Sequence, residues 1–137
     1  MKLWERFRSK RAELDEAAFV LPVLLLVSIG LINLAIIGFA AINANNAANY
    51  GARMGSVAQA NATGVAQSAA QEKLNAVRVG SYLITVSGNQ TPGGLMTVTV
   101  QYTVPNYFGT LAGYFGVASA PREFKGTAKA HFRKEGW

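Results

Sequence analysis

The pattern of apolar and polar positions divides the chain into three stretches. From Ala17 to Ile42 (AAFVLPVLLLVSIGLINLAIIGFAAI) apolar residues run with no period. No charge occurs between Glu16 and Arg53, and Ser28 and Asn33 are the only strongly polar side chains in the run. A helix apolar on every side belongs in a membrane or inside an assembly. At ~1.5 Å rise per residue the run reaches about 39 Å, against roughly 30 Å for a hydrocarbon core. It predicts a transmembrane or assembly helix that crosses with some tilt. The competing reading is a buried core helix, but the remaining residues look too small and polar to wrap one this long. Pro22 stands in the first turns and predicts a kink wherever helix precedes it. Asn33 lies near mid-span, where an amide serves as glue between helices.

Beyond Ile42 the helical pattern continues with different chemistry, NANNAANYGARMGSVAQA. Ala40, Ala44, Ala48, Ala52, Ser56 and Ala60 recur at i, i+4, and Ala47, Gly51 and Gly55 lie beside them. Small residues at this spacing let another helix backbone come close. Alanine is also simply a good helix former. The spacing predicts a helix-packing interface made of Asn33, Ala40, Ala44, Ala48, Gly51, Ala52, Ser56 and Ala60. Asn43, Asn45, Asn46 and Asn49 make the other faces polar but uncharged, as suits a helix that stays among helices. Asn61 to Gly64 predicts a break. Thr63 would cap a second helix from Val65 to Val77, with Val65, Ala66, Ala69, Ala70, Leu74 and Val77 as its apolar face. Glu72, Lys73 and Arg78 would be solvated or capping charges. Whether the two helices form one rod is open at this level.

The last stretch has period two. Tyr82 to Ser87 predicts a short strand, and Gly88 to Gly94 a turn-rich linker. Leu95 to Val104 alternates strictly, with Met96, Val98, Val100, Tyr102 and Val104 on one face. The aromatic, glycine-rich segment 107–120 predicts a short amphipathic helix or a loop covering the sheet. Phe124 to Arg133 alternates again, Phe124, Gly126, Ala128, Ala130 and Phe132 against Lys125, Thr127, Lys129, His131 and Arg133. The fold class is α+β: a long N-terminal hydrophobic helix, then a small domain with a second helix and a three-stranded antiparallel sheet. The expected units are a charged tail (1–16), a transmembrane or assembly helix with an extramembrane extension (17–60) and an extracytoplasmic α+β domain (61–137).

Charge orients this plan. The net charge is +6. Lys2, Arg6, Arg8, Lys10 and Arg11 precede the span, and Arg53 alone follows closely. This predicts a cytoplasmic N-terminus and a C-terminal part outside. Trp4 and Phe7, among the basic residues, suit a tail on anionic lipid or a disordered stub. The apolar run exceeds a signal peptide's hydrophobic region, so the expectation is an uncleaved anchor or a segment processed on its cytoplasmic side. The chain has no cysteine, hence no disulfide or thiolate metal site. No phosphate loop, nucleophile motif or paired-acid site is readable. No catalytic, cofactor-binding or metal residue is assigned, and no cofactor or nucleic-acid partner is expected. His131, the only histidine, stands among cations as a surface residue. The Lys125, Lys129 and Arg133 face offers a weaker binding reading, since edge lysines also guard strands against aggregation.

These features resemble a family. The sequence has a basic tail, an acid opening the apolar helix and a proline six residues on (Glu16-Ala-Ala-Phe-Val-Leu-Pro22). It then has Ala48-Asn49-Tyr50-Gly51-Ala52-Arg53, a Val/Thr strand and a last strand ending Arg133-Lys134-Glu135. It is similar to the TadE-like, pilin-related proteins of tight-adherence pilus assembly. The resemblance implies a structural cell-envelope protein, with Glu16 at the pilin-like acidic position. There the family has a cleavage-site glycine five residues earlier, where this chain has Arg11, and an aromatic residue where it has Ala17. As a pilin-type acid, Glu16 would take a cation such as Lys10 or Arg11 of a neighbouring copy; otherwise it is solvated at the helix start. Two functions follow: a filament subunit that packs through its helix, or a single-pass accessory subunit of a larger membrane complex. The partners are other transmembrane helices and the lipid bilayer.

Overall fold

The structure is a computed structural model that describes the backbone of residues 2–116 and 119–136, with side chains from Glu16 onward. The elements are α1 (Lys2–Val57), α2 (Ala62–Asn75), β1 (Ser81–Gly88), β2 (Leu95–Pro105), α3 (Tyr107–Tyr114) and β3 (Glu123–Arg133). The fold is α+β, as the two periods predict. α1 reaches back through the charged segment rather than starting at Ala17, and passes through Pro22 as one helix. The side chains of the basic tail, of Trp4 and of Phe7 lie outside the described residues, as do Val117 and Ala118 of the segment 107–120.

The break between the two helices has a specific cause. Asn61 adopts the left-handed conformation (φ 47°, ψ 49°), and its side chain accepts the Gly64 N–H at 3.2 Å. Asparagine tolerates this conformation and caps well. It therefore displaces Thr63 as the cap, and α2 begins three residues before the predicted Val65. Thr63 instead accepts a hydrogen bond from Gln90 at 3.3 Å. The chain reverses at Asn61, so α2 runs antiparallel to α1, with Gly55 beside Ala62 and Ala66 and Gly51 beside Ala66 and Ala70. The helices are two, not one rod. Lys73 at the far end of α2 stands 4.4 Å over the Tyr50 ring, adding a cation–π contact between them.

The sheet has the order β1-β2-β3, antiparallel throughout. Its inward face carries Met96, Val98, Val100, Ala128 and Ala130, all buried. They pack on Ala44, Ala47, Ala48 and Ala52 of α1 and Ala62, Ala66, Ala70 and Leu74 of α2. Alanine on helix and strand alike lets the layers lie close, while the β2 valines and Met96 fill the space between. The outer half of α1 is thus part of this core.

The C-terminal segment closes the end of α1. The Glu135 N–H donates to the Ser56 carbonyl at 2.9 Å, and the buried Lys134 ammonium donates to the Ala58 carbonyl. Both satisfy carbonyls that a helix end leaves without partners, and the cation sits at the negative end of the helix dipole.

Tyr82 faces Tyr102 across β1 and β2. Its hydroxyl is buried without a hydrogen-bond partner. Burial, and then the neighbouring Tyr102, push its ionisation above the usual phenol value. The favoured neutral form is thus fully present below pH ~10, and its contribution is lost only as pH rises through the raised value. Removing an unpaired buried hydroxyl relieves its desolvation cost. Tyr82→Phe should leave stability unchanged or raise it by about 1 kcal/mol. A denaturant titration at pH 7 checks this, and a clear loss would show a partner for the hydroxyl.

Candidate membrane and assembly surface

The apolar half of α1 stands free of the body. Phe19, Val20, Leu21, Val23, Leu24, Leu25, Leu26 and Val27 are all exposed. Consecutive positions on a 3.6-residue helix cover its whole circumference, so no face is left polar. Only 6% of the most apolar 18-residue window is buried. That burial is incompatible with a core helix and leaves lipid or other helices as the surroundings. Among the described residues, one helix is long and apolar enough to cross a membrane. Its polar groups are turned inward: the Ser28 hydroxyl donates to the Leu24 carbonyl at 2.7 Å, which removes its need for water. Above the run, Asn43, Asn45 and Asn49 donate to the carbonyls of Phe39, Ala41 and Asn45 at 2.8, 3.0 and 2.9 Å. Half of each amide's donors is thereby satisfied within the helix.

Asn33 is buried and joins α1 to α3. Its Nδ2 donates to Asn106 Oδ1 at 3.1 Å, and its Oδ1 accepts the Tyr107 N–H at 3.1 Å. Asn106 is the cap of α3, with Oδ1 also accepting the Phe108 N–H at 3.1 Å. Asn106 Nδ2 donates to the Pro121 carbonyl at 2.7 Å, and its N–H to the Arg122 carbonyl at 2.8 Å. Two amides thus satisfy each other, a helix start and the chain leading to β3. The glue predicted at Asn33 acts within the chain. α3 docks here on α1, the Phe108 ring standing 3.4 Å from where a Cβ on Gly30 would lie. The segment 107–120 so begins as a helix, the first of its two predicted forms.

The small-residue stripe has a partner in its own chain. Ala40, Ala44, Ala48, Gly51, Ala52 and Ser56 are buried in the isolated subunit. A Cβ built on Gly51 would stand 2.6 Å from the Ala66 carbonyl oxygen and 2.9 Å from the Ala70 Cβ. On Gly55 it would meet Ala66 at 2.7 Å and Ala62 at 2.9 Å. α2 comes close to α1 at Gly51 and Gly55. Ala60 departs from the pattern: it lies past the end of α1 and is exposed. The i, i+4 count cannot reveal that the chain turns back at Asn61, four residues after Val57.

Glu16 is exposed at the start of the apolar run; the side chains of Lys10 and Arg11 lie outside the described residues. His131 is exposed on the outer sheet face, its Nδ1 2.8 Å from the Thr97 hydroxyl. Lys125, Lys129 and Arg133 share that exposed face. The residue that sequence reasoning missed is Asn106 in its role as the cap of α3. Asn106 follows Pro105 as a strand stop, and its place before an apolar turn is the one signal of a cap.

Residues 16–53 match the family model described as TadE-like protein. The match runs from the acid through the apolar run to Arg53, and it is the family that the sequence resembles. No curated protein and no solved structure matches the chain.

Proposed function

We propose, taking the match of residues 16–53 to the TadE-like family as the premise, that this chain is a structural, non-enzymatic subunit of the cell envelope. It is pilin-related and assembles through its N-terminal hydrophobic helix into, or at the base of, a surface filament. The observation that carries this reading is the apolar helix exposed on every side from Phe19 to Val27. Such a surface is stable only in lipid or among other helices. The bilayer holds it before assembly and neighbouring subunits hold it afterwards. The five basic residues before Glu16 support a cytoplasmic N-terminus, with the α+β body outside.

A second reading is favoured by one feature. The small-residue stripe is buried under α2 and the sheet, so it offers no such groove on that half of α1 to another subunit. A single-pass accessory subunit of a larger membrane complex needs no such groove. Negative-stain microscopy of sheared cell-surface material separates the two. Filaments that bind an antibody against this chain are the expected result. If the chain is missing from sheared filaments and elutes from detergent gel filtration in a complex of fixed size, the accessory reading replaces the filament reading.

A further inference from the structure

α3 is uncharged, YFGTLAGY, and its aromatic residues are turned out. Tyr107 and Phe108 are exposed, and Tyr114 and Phe115 at its far end are 83% and 79% exposed. A soluble domain gains nothing by presenting four such rings together. Their height on α1 explains them. Asn33, which anchors α3, lies about 25 Å along the axis from Glu16 at ~1.5 Å per residue. Measured from an inner edge at Glu16, that is the outer third of a roughly 30 Å hydrocarbon core, just below its outer boundary. Tyrosine and other aromatic side chains gather at this boundary, where one end is apolar and the other wet. The rings adjoin the exposed apolar surface of α1, since the Phe108 ring lies over Gly30, 3.4 Å from where a Cβ there would stand.

Beside α3 there is an open cleft of about 380 Å³ lined by Thr110, Gly113, Tyr114 and Arg122. Arg122 Nη2 lies 3.7 Å from where a Cβ on Gly113 would stand, so the guanidinium rests against this helix. Among the described residues no carboxylate pairs with Arg122. The Thr110 hydroxyl donates to the Asn106 carbonyl at 3.1 Å, which leaves the permanently charged fork of Arg122 beside Tyr114, within reach of the headgroups, as the group that matches a phosphate.

The geometry points to α3 as a foot that seats the body on the outer lipid interface, with the Thr110–Tyr114–Arg122 cleft receiving a lipid phosphate. This rests on the single-span reading of α1. Its role is to fix the height and lean of the body over the membrane before assembly. The rigid anchor at Asn33 and Asn106 ties that height to the span itself.

The absence of cysteine makes single-cysteine labelling clean. Phe115→Cys, Leu25→Cys and Thr99→Cys are each labelled with an environment-sensitive fluorophore. The full chain is reconstituted in vesicles of phosphatidylcholine and phosphatidylglycerol carrying spin-labelled lipids, with the quencher shallow or deep. The Phe115 label should be quenched about twofold more by the shallow quencher than by the deep one, as an interfacial helix requires. The Leu25 label should show the reverse, and the Thr99 label should respond to neither. Adding Arg122→Glu should roughly halve the shallow quenching at Phe115, as reversal of a headgroup contact predicts. A watery Phe115 label beside a deep Leu25 label overturns the foot and leaves the span standing. A watery Leu25 label overturns both. A Phe115 label shielded only at high protein-to-lipid ratio, and indifferent to lipid quencher, assigns the rings to a second copy. Unchanged quenching in Arg122→Glu removes the phosphate from the cleft.

Discussion

Gly51→Val should unfold the α+β body while leaving the apolar half of α1 in the membrane. The first added carbon would already lie 2.6 Å from the Ala66 carbonyl oxygen and 2.9 Å from the Ala70 Cβ. One of these atoms is backbone and the other is fixed to it, so neither can swing aside. Valine adds two further methyls to the same gap. Overpacking typically costs 1–3 kcal/mol where side chains can adjust. Here α2 itself must move, and we expect about 3 kcal/mol or more. Denaturant titration of the full chain in detergent, followed by near-ultraviolet circular dichroism, measures this. Membrane fractionation of the same variant should still find it in the membrane. A normal unfolding midpoint would show that α2 does not pack as described. The same geometry decides what Ala48→Leu does. If the stripe were an interface between subunits, this change would block assembly of a folded chain. Ala48 is wholly buried within its own subunit, so the loss of fold precedes any loss of assembly.

Asn106→Ala should release α3 from α1. The change removes the acceptor of two N–H groups, those of Asn33 Nδ2 and Phe108, and the donor to the Pro121 carbonyl. Loss of a cap costs about 1 kcal/mol. Leaving the buried Asn33 amide and the Pro121 carbonyl short of partners adds about 1–3 kcal/mol. Hydrogen exchange should accelerate across residues 107–114 and stay slow in β2. Asn33→Ala should release α3 as well but preserve its cap, for about half the cost. The double variant should cost less than the sum, because both single changes break the same bond. Strict additivity, or unchanged protection of α3, would mean that the amide pair does not hold the helix.

Much of the fold is legible in the sequence where one physical pattern dominates. β2 and β3 alternate strictly, and the faces they bury are the ones the alternation marks, Met96, Val98 and Val100 against Ala128 and Ala130. The apolar run of α1 is legible because nothing but lipid or other helices tolerates it. Helix limits are less legible. Asn61 and Thr63 both suit a cap, and the left-handed backbone at Asn61 settles the choice. α3 is hidden by its glycines, which speak equally for a loop. Asn33 reads as glue from its place in an apolar helix, but its partner Asn106 lies 73 residues away, beyond any local pattern.

The sequence by itself determined the classes of surface: an uncharged helix that water rejects, a small-residue face that admits a close neighbour, and strands with one buried side. Periodicity and burial cost suffice for these, since both act residue by residue. Only the tertiary structure decided which neighbour meets which surface. The small-residue face is complementary to any helix that arrives with small residues of its own. The left-handed turn at Asn61 delivers α2 at an effective concentration that a separate subunit does not reach. The stripe is therefore closed within the chain, and the apolar segment from Ala17 to Ile42 stays open to membrane and partners.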